Sequence, residues 1–152
     1  CNNPLWILGD GQPEKLQQLL TNAKNENIIA SDNLVQMSST EAEMVKYVRN
    51  CFLSTKVSFF NEVFDACHVH GCNYESVRLA VGADRRIGAG HTLVPGPDGL
   101  RGFGGHCFPK DVAAWCAFAG QPHSIIDAVR RRNLELDRTE KDWEKDKGRA
   151  VV

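Results

Sequence analysis

No stretch of this chain stays apolar for long. The cleanest run, Val112 to Ala119, falls far short of the roughly 20 residues that a membrane span needs. There is no charge excess either: a net charge of −1 over 152 residues leaves no electrostatic footprint for nucleic acid or an anionic membrane. The opening residues show no basic segment followed by an apolar one, so secretion is not expected. The chain starts at Cys1 rather than at a methionine, which predicts a fragment or a processed product. Catalytic signatures are missing too. Gly9-Asp10-Gly11 runs on to Gln12-Pro13, and Gly88-Ala89-Gly90 lacks a third glycine, so no dinucleotide-binding G-x-G-x-x-G follows a strand. There is no P-loop, no G-x-S-x-G and no H-E-x-x-H. Internal repeats and low-complexity tracts are also absent.

Cysteine is present but not in a disulfide pattern. Cys1, Cys51, Cys67, Cys72, Cys107 and Cys116 sit in helical patterns of a chain of ordinary size, which argues for a reducing compartment, the cytoplasm. The segment Cys67-His68-Val69-His70-Gly71-Cys72 gathers two thiols and two imidazoles. Zinc sites draw ligands from two separated pairs, and no second pair stands at such a distance, so no metal is expected. A helix C-terminus with cationic histidines and a Gly71 cap is the better reading; a metal-binding helical domain is the alternative.

In chain order, Pro4–Leu8 reads as a short buried strand, ended by Gly9-Asp10-Gly11. Pro13 opens a helix with Leu16, Leu19, Leu20 and Ala23 on one side. Ile28–Ala30 and Leu34–Met37 are extended candidates. This strand–helix–strand spacing suggests the end of an α/β layer whose remaining strands lie elsewhere. Thr40 and Glu43 match a capping box. From there to Gly71 no proline or glycine interrupts, and Met44, Val48, Cys51, Phe52, Phe59, Val63 and Cys67 recur at helical spacing. A helix of about 30 residues is longer than one small core needs, and such helices bridge domains or pair with a partner subunit. Lys46 and Asn50, four apart, share one face of it. Asn73 is placed to cap a short helix, Tyr74 to Val81, ended by Gly82. Ala83 to His106 is a long Gly/Pro-rich connection in which Arg85, Arg86 and Arg101 are candidate contacts for a phosphate or a sugar hydroxyl. Ile125, Ile126 and Val129 begin a last amphipathic helix. Its Arg130-Arg131-Arg132 is offset by later acids, so it reads as solvated and charged, with Trp143 as anchor. The fold expected is mainly α: residues 39–152 form a helical domain with one long helix, preceded by a partial α/β remnant at residues 1–38.

The stretch Gly102–Val112, GFGGHCFPKDV, carries the chemistry. Val112–Ala119 reads as a helix with Pro109 in its first turn and Gly120 at its end, so Cys107 stands at a helix N-terminus. Unpaired N–H groups and the macrodipole favour an anion there, which predicts a thiol biased toward thiolate. Gly102, Gly104 and Gly105 remove side chains beside it, so a bulky ligand is expected to approach the backbone closely. A Cys–His hydrolase would need a base; His106 is adjacent and points elsewhere, and His91 and His123 have nothing to support them.

Three motifs in this order, TEAEMVKYVRNCFLSTKVSFFNE, ADRRIG and GFGGHCFPKDV, resemble the central part of the nucleotide-sugar 6-dehydrogenases, the UDP-glucose and GDP-mannose dehydrogenases. The resemblance runs from Thr40 to Asp111 and on to Asn133; Val94–Gly99, VPGPDG, lengthens the loop in a way compatible with the UDP-glucose branch. It implies that residues 1–38 are the tail of an NAD-binding Rossmann domain and that the long helix dimerises. It also implies that NAD is bound mainly by a domain not present in this chain, and that the substrate is a nucleotide sugar, UDP-glucose first. Cys107 then matches the nucleophile. Lys46 and Asn50 match the residues that stabilise the oxyanion and the C6 oxygen, and Asp111 the carboxylate that holds the catalytic water. Gly102, Phe103, Gly104 and Gly105 match the sugar-contacting loop, and Arg86 an arginine that reaches the sugar across the dimer interface. The glutamate the family uses for hydrolysis lies upstream of this sequence. The alternatives are a structural dimerisation module without turnover, or a dehydrogenase acting on GDP-mannose or a UDP-N-acetylhexosamine.

Overall fold

The computed structural model describes residues 5–119 and 124–146. Cys1, Pro4, Gly120 and His123 therefore lie outside the described residues. Contacts divide the chain into two compact units, Cys1–Lys46 and Tyr47–Val152, and the division falls inside the longest helix. The architecture is mainly α, with one two-stranded parallel sheet among the described residues.

In the first unit, β1 (Trp6–Leu8) pairs in parallel with β2 (Leu34–Gln36), with Ile7 opposite Val35. Helix α1 (Pro13–Asn25) connects them; Pro13 occupies the start of the helix, where an N–H would have no partner. Leu20 is its buried residue, whereas Leu19 stays exposed. Ile28–Ala30, expected to be extended, is not a strand. Asn27 turns to a positive φ of 59° and Ile28 N donates to Ala23 O at 2.9 Å, so this segment closes the C-terminus of α1.

Helix α2 (Ser39–Val69) runs for 31 residues, about 46 Å at 1.5 Å per residue. Its N-terminus differs from expectation by two residues. Ser38 N donates to Glu41 Oε2 at 2.8 Å and Glu41 N donates back to Ser38 Oγ at 3.3 Å. Both Ser38/Glu41 and Thr40/Glu43 satisfy the capping-box spacing, and the earlier pair forms it. The C-terminus is a Schellman turn: Gly71 has φ 66°, and Cys72 N donates to Cys67 O at 2.8 Å.

One face of α2 is buried with small, mostly polar side chains, Cys51, Ser54, Ser58 and Asn61; Phe60 and Cys67 are buried as well, while Val48, Phe52 and Phe59 remain exposed. Ser54, Thr55 and Asn61 satisfy themselves on the carbonyls four residues back. Against this face lie α4 (Cys107–Ala119) and α5 (Ile125–Arg132), whose Val112 and Val129 join Cys51 and the loop residue Phe103 in the core. Tyr47, Trp115 and Phe118 extend the α2–α4 contact through edge-on rings.

Asn73 caps α3 (Tyr74–Gly82) as expected, accepting from Ser76 N at 2.9 Å. The 83–106 connection is irregular but tied down. Lys56 donates to the carbonyls of Ile87 and Gly88, and Tyr74 and Arg78 bond the buried Thr92. The final helix does not continue as a solvated rod. After α5 the chain makes a π-helical turn, Asn133–Asp137, and later a short 3-10 turn, Asp142–Asp146. Asn133, Asp137 and Arg138 are buried, so the charged, solvated reading fails at these positions and holds at the exposed Arg130, Arg131, Glu135, Glu140 and Lys141.

Candidate active site

Cys107 is the first residue of α4 and is exposed. Pro109 fits the first turn because its missing N–H would have had no helical partner. One turn after Cys107, on the same face, Asp111 is completely buried. A buried carboxylate needs partners, and it has them on each oxygen. Asn50 of α2 donates Nδ2 to Oδ2 at 2.5 Å, and Lys110 Nζ stands 2.7 Å from Oδ1. Nearby, the Cys51 thiol faces the Asp111 carbonyl at 4.0 Å, and burial pushes that thiol up to about 11. Cys51 is thus a packing residue. The structure brings Asn50 and Asp111 into direct contact. Lys46, one turn before Asn50 on α2, is exposed and belongs to the first unit.

The glycines before Cys107 do different work from one another. At Gly102, with φ 64°, an added methyl group would overlap Asn133 Oδ1, and at Gly104 it would overlap the Arg138 guanidinium. Their bareness admits this chain's own side chains rather than a ligand. Gly105, at φ 70°, has nothing within 4 Å of such a methyl group and is the open one. Between this loop and residues 89–98 lies a cavity of about 570 Å³, walled by Val57, His91, Asp98, Phe103, Gly105 and Phe108 among others. Cys107 is not itself among the lining residues, although Gly105 and Phe108 flank it in sequence.

Of the candidate arginines, Arg86 is 89% exposed at its side chain and pairs with Asp84 at 2.6 Å. Arg101 is structural. It bonds Asn61, Asp65 and Asp137 and lies over the Phe64 ring. Arg132 joins it on Asp65 and Asp137. Sequence reasoning missed this cluster, although the i,i+4 pair Arg138–Asp142 was readable from spacing. His91 lies 5.9 Å from the Phe108 ring, and no group of three or more metal-ligating side chains occurs among the described residues.

The turn after β1 is closed by Ser39, whose Oγ accepts from Asp10 N at 3.1 Å while Ser39 N donates to Asp10 Oδ2 at 3.2 Å. An added methyl group at Gly9 would stand 2.8 Å from Ser39 Oγ. The Asp10 carboxylate thus caps the Ser39 N–H at the head of α2.

An exposed cysteine heading α4, with a buried carboxylate–amide pair one turn along the helix, is a candidate reaction centre. Residues 40–135 match the family model for the central domain of the UDP-glucose/GDP-mannose dehydrogenase family, and the chain belongs to that family. It is 42% identical over 105 residues to a UDP-glucose 6-dehydrogenase of Pseudomonas aeruginosa, covering 67% of this chain and 22% of that relative. It is 33% identical over 135 residues to one from Rickettsia bellii, covering 81% of this chain and 30% of the relative. Among solved structures, a UDP-glucose dehydrogenase from the hyperthermophilic archaeon Pyrobaculum islandicum superposes with a TM-score of 0.68 at 35% identity, covering 87% of this chain and 29% of that one. The chain thus spans between about a fifth and a third of the length of these relatives. No helix among the described residues is long and apolar enough to cross a membrane.

Proposed function

We propose that this chain supplies the catalytic cysteine and the dimerising helix of a cytoplasmic, NAD-dependent UDP-glucose 6-dehydrogenase, which oxidises UDP-glucose to UDP-glucuronate. The observation that carries the reading is the exposed Cys107 at the head of α4, one turn above an Asp111 that is buried and bonded to Asn50. Two hydrides leave the sugar C6 in this chemistry. NAD, held outside these residues, is their acceptor.

The work left to this chain is capture and release. The first oxidation leaves an aldehyde at C6. The Cys107 thiolate adds to that carbon, forming a C–S bond and an oxyanion that Lys46 and Asn50 are assigned to stabilise, and protonation gives a thiohemiacetal. Loss of the second hydride from C6, with the hydroxyl proton passing to solvent, leaves a thioester. Water, held by Asp111, attacks the acyl carbon; the C–S bond breaks, the sugar leaves as the carboxylate and the thiol is regenerated. Gly105, the open position of the 102–105 loop, is assigned to the sugar, and Arg86 to the sugar bound by the partner subunit. The exposed Val48, Phe52 and Phe59 on α2 support pairing through the long helix.

The test is NADH formation, followed by absorbance, from UDP-glucose, GDP-mannose and a UDP-N-acetylhexosamine in turn, with the protein that carries this chain. Two NADH per UDP-glucose are expected. No NADH from any of the three sugars overturns the dehydrogenase reading in favour of a structural dimerisation module.

A further inference from the structure

Arg138 falls in the stretch whose composition suggests solvated charge, yet it is 4% exposed. Its guanidinium is held from two sides. Nε and Nη2 donate to Asp142 at 2.6 and 2.7 Å, and Nη1 donates to Asp98 at 2.7 Å. Asp98 belongs to one loop wall of the 570 Å³ cavity, and Arg138 lines the same cavity. The other wall is the glycine loop, where the guanidinium fills the space that a side chain on Gly104 would need. One planar group therefore abuts both walls.

Five residues earlier, Asn133 grips the same loop by its backbone. It is 1% exposed; its Oδ1 accepts from Phe103 N at 2.8 Å and its Nδ2 donates to Phe103 O at 2.9 Å. The π-helical turn joins the two grips, closed by Arg138 N donating to Asn133 O at 2.9 Å. A loop that is glycine at three of four positions has large backbone freedom and few side chains with which to anchor itself, so its shape must be imposed from outside. Arginine is suited to imposing it, because its rigid fork makes several charge-assisted bonds at once, which the point charge of a lysine does not reproduce.

We propose that Arg138 and Asn133 are positioning residues that lock the 93–98 and 102–105 walls together and thereby set where Cys107 stands at the head of α4. The effect on turnover rests on the proposed role of Cys107; the lock itself is read on the backbone and needs no substrate.

The experiment compares the protein that carries this chain with its Arg138→Lys and Asp98→Asn variants, which keep the buried Asn133 intact. Amide hydrogen exchange followed by mass spectrometry is expected to speed up about tenfold across residues 96–106 in Arg138→Lys, less in Asp98→Asn, and not at all across α3. The rate at which iodoacetamide alkylates Cys107 shifts in the same order. The kcat for UDP-glucose falls about tenfold in Arg138→Lys while KM stays within about threefold. Unchanged exchange across 96–106 overturns the proposal, and so does loss of protection throughout the chain, which would make Arg138 a general stabiliser. Faster exchange with unaltered Cys107 alkylation overturns it as well, because the walls would then move without consequence for the thiol. If the unaltered protein makes no NADH, the dehydrogenase reading fails while exchange and alkylation still decide the lock.

Discussion

Cys67–Cys72 and Gly104–Cys107 both bring thiol, imidazole and glycine to the end of a helix, the first at the C-terminus of α2 and the second at the N-terminus of α4. At the first end the orphan groups are carbonyls. Cys72 N satisfies the Cys67 carbonyl, Gly71 supplies the left-handed residue, and Cys67 is buried. At the second end the orphan groups are N–H donors, the cysteine is exposed, and a buried carboxylate lies one turn below it. Helix polarity and the neighbour across the groove, rather than residue type, separate a chain reversal from a candidate reaction centre.

Several substitutions would break or sharpen that contrast. The largest effect is expected at the thiols. Cys107→Ala should lower NADH formation from UDP-glucose by about a thousandfold or more, whereas Cys72→Ala should leave it unchanged. Equal losses in the two variants would erase the distinction. Next comes the carboxylate under α4. Asn50→Ala removes the amide from a buried Asp111 oxygen, and kcat should fall about a hundredfold, with Cys107 alkylation by iodoacetamide still proceeding. A kcat within twofold of the parent would mean that the Asn50–Asp111 bond is purely structural.

Acid distinguishes the two regions without mutation. The glycine-loop side is tied by ion pairs, and the hydrogen bond from Arg138 holds the Asp142 carboxyl below its ordinary value of 3.8. A depressed carboxylate contributes stability that is present above the ordinary pKa and is lost as pH falls through the depressed one. Amide exchange near residues 96–106 should therefore accelerate below about pH 4, while the backbone-bonded turn at Cys67–Cys72 keeps its protection. Simultaneous loss at both places would contradict the assignment. The smallest effect belongs to Gly71→Ala. A methyl group meets nothing within 4 Å there, so the cost is the positive φ alone, about 1 kcal/mol, measured by denaturant unfolding with turnover unaltered.

Local signals were legible where one segment carried all the information. The long α2 followed from an interval free of glycine and proline, and the Asn73 cap from its place before a short apolar helix. Local signals misled where two frames fitted equally, as with Ser38/Glu41 against Thr40/Glu43, and where a helix cap consumed the N–H of an apolar residue, as at Ile28. The apolar stripe at Val48, Phe52 and Phe59 was visible, but which face of α2 turns inward was not. The face that meets α4 and α5 carries the small Cys51, Ser54 and Ser58, and of the adjacent pair Phe59 and Phe60 only the second is buried.

Around the candidate site, the punctuation of Pro109 and the apolar run after it was enough to set Cys107 at a helix N-terminus. The placing of Asp111 one turn behind it came with the structure, whose α4 begins at Cys107 itself. The pairing of Asn50 with Asp111 spans 61 positions, and the grip of Asn133 on Phe103 spans 30. No periodicity encodes contacts between segments so far apart. They exist because packing Cys51, Val112 and Val129 into one core brings the polar groups beside them within bonding distance, and that arrangement belongs to the folded chain alone.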